Sequence, residues 1–204
     1  MLLIGMLDSP YVRRAAIAGT LLGVKFEHQS ISVFRHMDRF RAINPLIKAP
    51  SLVADDGTVL MESQLIIEHM EDVAGKSLRP ADPAARVADL RATGLSIVVC
   101  EKAIGIEYER KRPEAVRYQP WMDRIRTQLN EALSAVETIA ASRWSKLPDP
   151  LTHGAITAAV AWGFIRYTTP DVIPADDFPA LRDHAQRCEE TAVFRHWPID
   201  RQEP

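Results

Sequence analysis

Cysteine is scarce in this sequence: Cys100 and Cys188 are the only two among 204 residues. Two thiols so far apart supply neither a disulfide framework nor a cysteine metal cluster, and each falls in a helix-like segment, where a buried, reduced thiol is expected. An excess of one charge is also missing. Lys plus Arg number 25 against 27 for Asp plus Glu, a formal net charge of −2, so there is no general attraction to polyanions. Nucleic acid and anionic membrane are not expected partners. Even the apolar stretch "GAITAAVAWGFI" is too short to span a bilayer, and the first residues show no basic region or small-residue cleavage site of a signal peptide. These absences lead to the expectation of a soluble, cytoplasmic protein. The six histidines, His28, His36, His69, His153, His184 and His196, have no short metal-ligand spacing, so no metal is expected. No internal repeat or low-complexity tract occurs.

What is present falls into two halves of different rhythm. Residues 1–6 read as a buried strand. Residues 10–22 read as a helix opened by Pro10 and ended by Gly23, with Val12, Ala16 and Gly19 recurring beside Ile17 and Leu21. Residues 26–32 read as a second strand, followed by a polar stretch of weak helical pattern. In "SLVADDGTVLM" two apolar runs flank Asp55-Asp56-Gly57, and Asp-Gly supplies the positive φ of a tight hairpin turn. A helix follows, with Ser63 as a possible cap and Ile66, Met70 and Val73 marking its buried face. The order βαβ, connection, ββα describes a small mixed sheet with helices packed on it. The stretch "GKSLRPADPA" is linker-like. Beyond it the patterns are helical, over about 84–111, 119–143, 152–168 and 180–190, so the second half is all-helical.

Four features of the first half carry candidate chemistry. Ser9-Pro10 stands at a strand-to-helix turn, where serine is a good N-cap and proline a good first helical residue. Ala49-Pro50 precedes the hairpin, Asp55-Asp56-Gly57 turns it, and Glu62-Ser63 opens the next helix.

Taken in this order they resemble a family. "INPLIKAPSLVADDGTVLMESQLIIEHM" is similar to the glutathione-binding segment of the glutathione transferases, and "SPYVRRAAIAGTLLGVKFE" to the first strand-helix-strand turn of their serine-type and cysteine-type members. The resemblance extends over essentially the whole chain. It implies an α+β thioredoxin-like N-terminal domain with a mixed four-stranded sheet over 1–78, a linker over 79–84 and an all-α domain over 85–204.

The resemblance also implies roles. Pro50 would be a cis proline, turning the backbone of Ala49 toward the cysteinyl residue of glutathione so that the ligand pairs like an added strand. Glu62 and Ser63 would hold the γ-glutamyl end, carboxylate to ammonium and hydroxyl to carboxylate. Lys48 would face the glycine carboxylate or stand solvated in its loop. Ser9 would donate its hydroxyl to the glutathione sulfur. Keeping a thiol of pKa near ~8.5 ionised at neutral pH needs a shift of roughly 2 units, about 3 kcal/mol. One hydroxyl hydrogen bond to an anion supplies roughly 1.5–3 kcal/mol, and a helix start adds roughly 0.3–1. Cap and catalyst are therefore compatible roles for Ser9, and the sequence leaves open whether its hydroxyl points at the thiol or back at its own helix.

Some positions depart from the family pattern. Ile47 stands where glycine is common, Ala49 where valine is common. In "LTHGAI" Thr152 retains a helix cap while Ala155 replaces its acidic partner, an expected weakening of about 1 kcal/mol. Serine at position 9 cannot perform the mixed-disulfide chemistry of a cysteine. Glu107 and Glu109 do not share a helix face and are expected to be solvated, as is the run "ERKRPEAVR". Tyr11, Ile104 and Tyr108 are candidates for the second substrate. The stripe Ile97, Glu101, Ile104 and Tyr108 also fits core or dimer contact, and Trp162 fits core. The expected function is transfer of activated glutathione to a small hydrophobic electrophile in detoxification, by a homodimer. The alternatives are a glutathione-dependent isomerase, dehalogenase or peroxidase, or a non-enzymatic interaction protein.

Overall fold

The N-terminal apolar run forms β1 (Leu2–Ile4), and the amphipathic segment behind Ser9 forms α1 (Pro10–Leu21). Proline is well placed there because the first N–H of a helix has no intrahelical partner. There follow β2 (Glu27–Gln29), α2 (Met37–Arg41), β3 (Ser51–Val53), β4 (Val59–Met61) and α3 (Ser63–Ala74). In this computed structural model, which describes residues 1–199, β1 pairs parallel with β2 and antiparallel with β3, and β3 pairs antiparallel with β4. The sheet order β2-β1-β3-β4 is the mixed four-stranded arrangement of a thioredoxin-like domain.

Side chains alternate across these strands. Leu2, Ile4 and Val53 join Ile31 and Phe40 in a cluster on one face. Leu3 and Leu52, paired in register, point to the other face and are fully buried. Helices α1 and α3 pack against each other, burying Val12, Ala15, Ala16 and Ile17 with Ile66, Ile67 and Met70. Val73, expected on that buried face, is 55% exposed. It lies in the last turn of α3, past Glu71, where the helix's buried residues end.

The second unit is helical: α4 (Pro83–Arg110), α5 (Gln119–Arg143), α6 (His153–Thr168) and α7 (Pro179–Glu189). α6 is the long apolar stretch, and it is buried from His153 through Trp162, as a helix apolar on all sides must be. α4 and α7 both pack on it, and α5 packs on both of them. The start of α6 is capped twice. Thr152 accepts the Ala155 N–H at 3.4 Å, and Asp89 of α4 accepts the Gly154 N–H at 3.0 Å. The carboxylate absent from position 155 is thus supplied from another helix. A Cβ on Gly154 would lie 2.6 Å from that Asp89 oxygen and 2.9 Å from the Ala92 Cβ, so only glycine permits this approach.

The boundary at the C-terminus differs from the sequence reading, which gives everything after 85 to the helical domain. The chain packs as Met1–Leu78 with residues 191–199, and Arg79–Glu190 by itself. A short helix, α8 (Ala192–His196), returns to α1. There Arg13 Nε donates to the Trp197 carbonyl at 2.7 Å and its guanidinium lies 5.3 Å over the Phe194 ring. Trp197 stacks on Phe26 at 5.7 Å and donates through Nε1 to Thr20 at 2.9 Å. Among the described residues no helix is long and apolar enough to cross a membrane.

Candidate active site

One row of the sheet gathers the candidate residues. Ser51 pairs with Ile4 of β1 and with Met61 of β4, so the end of β1, the start of β3 and the end of β4 lie side by side. The chain passes from that row into each predicted feature: β1 leads to Ser9 and α1, Ala49-Pro50 precedes Ser51, and Met61 leads to Glu62, Ser63 and α3. Two helices therefore begin at one end of the sheet, bringing their unpaired N–H groups and positive dipole ends to the same place.

Ser9 occupies the N-cap position of α1 with φ −72° and ψ 120°, and its carbonyl accepts the Arg13 N–H at 3.0 Å. The residue is half-buried, and its hydroxyl makes no capping hydrogen bond. The backbone of Ser9 starts the helix while its side chain is not committed to it.

The Ala49-Pro50 bond is cis. Its loop is held from within by two buried residues that sequence reading did not select. Asn44 Nδ2 donates to Ser51 Oγ at 2.9 Å, and the Ser51 hydroxyl donates to the Lys48 carbonyl at 2.8 Å. The side-chain carbonyl of Asn44 accepts the Leu46 N–H at 3.0 Å. Ile47 has φ +50°, which explains why glycine is common at this position in the family it resembles. On the other side, Gly5 (φ +134°) admits the loop: a Cβ there would sit 3.0 Å from Ala49 Cβ and 2.6 Å from Val12 Cγ2.

At the start of α3 the N-cap is Glu62, with φ +69° and ψ 114°, and not Ser63. Ser63 is the first helical residue, and its buried hydroxyl accepts a hydrogen bond from Arg14 Nη1 at 3.0 Å. The exposed Glu62 carboxylate pairs with the Lys48 ammonium. Two charges to which the sequence gives separate duties thus face each other. Arg14, fully buried in α1, was not legible as part of the site, because charged residues in the first turns of an amphipathic helix ordinarily read as solvated.

Residues 3–77 match the family model of the glutathione S-transferase N-terminal domain, and residues 119–187 that of the C-terminal domain. The chain belongs to the glutathione S-transferase family. It is similar to the uncharacterized GST-like protein YibF of Escherichia coli, 25% identical over 168 residues, covering 82% of this chain and 83% of that one. Its fold overlays on a glutathione S-transferase from Methylobacterium radiotolerans in complex with glutathione sulfonate, with a TM-score of 0.88, 27% identity, and coverage of 100% of this chain and 97% of the other. A shorter likeness, 43% over 75 residues, links 34% of this chain to 28% of the Protein LigF of a Sphingobium strain.

The remaining candidates are dispersed over the two units of this transferase-family chain. Tyr11 is half-buried on α1; on α4, Ile104 is half-buried and Tyr108 is 52% exposed, with the Lys111 ammonium 5.8 Å from its ring centre. Glu101 of the same stripe is exposed, so the stripe is not core. Glu109, expected to be solvated, is buried: it accepts the Tyr118 N–H at 3.1 Å at the start of α5 and pairs with Arg112 at 3.2 Å. Glu107 pairs with Lys111 at 3.3 Å, and residues 111–117 are exposed. Trp162 is buried, as are the thiols of Cys100 and Cys188. Among the described residues no cluster of three His, Cys, Asp or Glu could hold a metal ion.

Proposed function

We propose that this chain activates glutathione as a thiolate and directs it at a small hydrophobic electrophile. The observation that carries this reading is the Ser9 hydroxyl, which makes no bond to the helix it begins and stands at the sheet end shared with Ala49-Pro50 and Glu62-Ser63. In that position it donates to the sulfur, and one such bond to an anion supplies roughly 1.5–3 kcal/mol of the thiolate's stabilisation. The backbone of Ala49 pairs with the cysteinyl residue as an added strand. Ser63 and the first amides of α3 take the γ-glutamyl carboxylate, Glu62 its ammonium, and Lys48 the glycine carboxylate. The ligand carries both signs of charge, as does the Lys48–Glu62 pair that it replaces. The sulfur then forms a bond to carbon as a leaving group departs, or adds to an activated double bond.

Glutathione sulfonate in the Methylobacterium relative supports a glutathione site here. The chain works as a cytoplasmic homodimer in this reading. Leu65 and Val73 of α3 and Val87 and Leu90 of α4 are exposed apolar side chains available for the partner copy, and light scattering gives the mass that decides it. Replacing Ser9 by alanine is expected to lower kcat with a generic aryl halide at least ~10-fold while glutathione affinity changes little. Unchanged turnover overturns the assignment. A panel of halides, epoxides, enones and hydroperoxides separates conjugation from the isomerase, dehalogenase and peroxidase alternatives, which use the same thiolate. Failure of glutathione to raise the melting temperature points instead to an interaction protein.

A further inference from the structure

Arg14 is 1% exposed, and its guanidinium donates to two successive residues of the first turn of α3: Nη1 to Ser63 Oγ at 3.0 Å and Nη2 to Gln64 Oε1 at 3.3 Å. We propose that Arg14 is a positioning residue that fixes the direction in which the Ser63 hydroxyl donates, and so sets the preference of the site for a ligand carboxylate at the start of α3. The proposal rests on the glutathione reading above and assigns the γ-glutamyl carboxylate as the group discriminated.

The argument is one of donors and acceptors. A guanidinium carries five N–H donors and no acceptor. Ser63 Oγ is therefore the acceptor in its bond with Arg14, and its hydrogen is left for another group. Elsewhere in this chain Thr20, Thr93, Ser96 and Thr157 donate their hydroxyls to the carbonyl four residues earlier in the same helix. Ser63 begins its helix and has no such helical carbonyl behind it. Its hydrogen is offered to a ligand, and a carboxylate is the complement because it only accepts. Donation into Oγ also polarises the hydroxyl and makes it a stronger donor. Burial keeps the Arg14 charge from being screened by solvent, so it favours an anion at Ser63. Lysine in its place keeps the charge but is a single point on a flexible stem and cannot brace both oxygens.

The test compares glutathione with 4-aminobutanoyl-cysteinyl-glycine, which lacks only the γ-glutamyl α-carboxylate. Binding of both is measured by calorimetry for wild type, Arg14→Met, Arg14→Lys, Ser63→Ala and the double variant Arg14→Met/Ser63→Ala, with thermal melts as the check on folding. Wild type is expected to prefer glutathione at least ~10-fold. Arg14→Met and Ser63→Ala each reduce that ratio several-fold, the double variant reduces it no further than Ser63→Ala alone, and Arg14→Lys falls between wild type and Arg14→Met. A wild-type ratio retained in Arg14→Met, or losses that multiply in the double variant, overturns the proposal and leaves the glutathione reading intact. Should Arg14→Met not fold, the cycle is run with Arg14→Lys, and a wild-type ratio there overturns the proposal equally. A wild-type protein that binds neither ligand overturns the glutathione reading, and this inference with it.

Discussion

Lys48 and Glu62 neutralise each other: the ammonium from the loop before β3 pairs with the carboxylate at the N-cap of α3. Their side chains are 51% and 55% exposed, so the pair contributes at most about 1 kcal/mol to stability. Glu62→Gln is therefore expected to leave the melting temperature nearly unchanged while weakening glutathione at least ~10-fold by calorimetry, since in the proposed site it removes the charge assigned to the ligand ammonium. An unaltered dissociation constant would take Glu62 out of the ligand site.

Ile47 holds φ +50°, a conformation that is an outlier for a β-branched side chain and costs roughly 1–3 kcal/mol. Glycine is ordinarily less stable than alanine by about 0.5–1 kcal/mol. Here the order should invert, with Ile47→Gly more stable than Ile47→Ala in urea unfolding, because both lose the packing of the branched side chain beyond Cβ and only glycine sheds the strain. Alanine proving the more stable of the two would contradict the backbone assignment.

Asp89 accepts the Gly154 N–H inside the helical unit and is itself buried. Asp89→Ala leaves that N–H buried without its acceptor and should destabilise the chain by about 1–3 kcal/mol. Asp89→Asn keeps an acceptor oxygen and should lose less. Equal losses for the two variants in chemical denaturation would mean that the cap at α6 does not act through the oxygen.

His184 is fully buried, with its Nε2 2.9 Å from the Ala155 carbonyl and its ring stacked at 4.5 Å on Trp144. Burial, against the Ala155 carbonyl and helped by the nearby Arg187 charge, pushes its pKa down from 6.5 to about 4. The unfolded chain therefore binds a proton that the folded chain refuses between these values. The stability that follows from this is fully present above pH ~6.5 and is lost as the pH falls toward ~4, by about 3 kcal/mol. Melting temperatures from pH 7.5 to 4 should fall more steeply for wild type than for His184→Gln. Parallel curves would show that the ring does not titrate in this range.

Much of this arrangement is local enough to be read from the chain. Asp-Gly between two apolar runs marks the β3–β4 turn, where Gly57 has φ +86°; proline marks the start of α1; and the predicted site residues follow or precede strand ends that the register then aligns at Ile4, Ser51 and Met61. The features that escaped depend on partners distant in sequence. Arg14 meets Ser63 across 49 positions and Arg13 meets Trp197 across 184, and no periodicity signals either. Ser9 and Ser63 have equal credentials as caps, yet neither hydroxyl caps: Ser9 holds the N-cap position of α1 without a side-chain bond to that helix, and Glu62 takes the cap of α3. Helix α8, Ala192–His196, is too short to show a helical period, and Glu109 is buried because it caps the start of α5, a use its own helix does not advertise.

The return of Trp197 to α1 sets an order of events during synthesis. The ribosome delivers α1 early, with Arg13 already placed to be buried. The carbonyl it donates to and the indole that lies on Phe26 and Thr20 emerge only after every helix of the other unit has been made. The helix that carries Ser9 at its start thus reaches its final packing only after the whole helical unit has been translated.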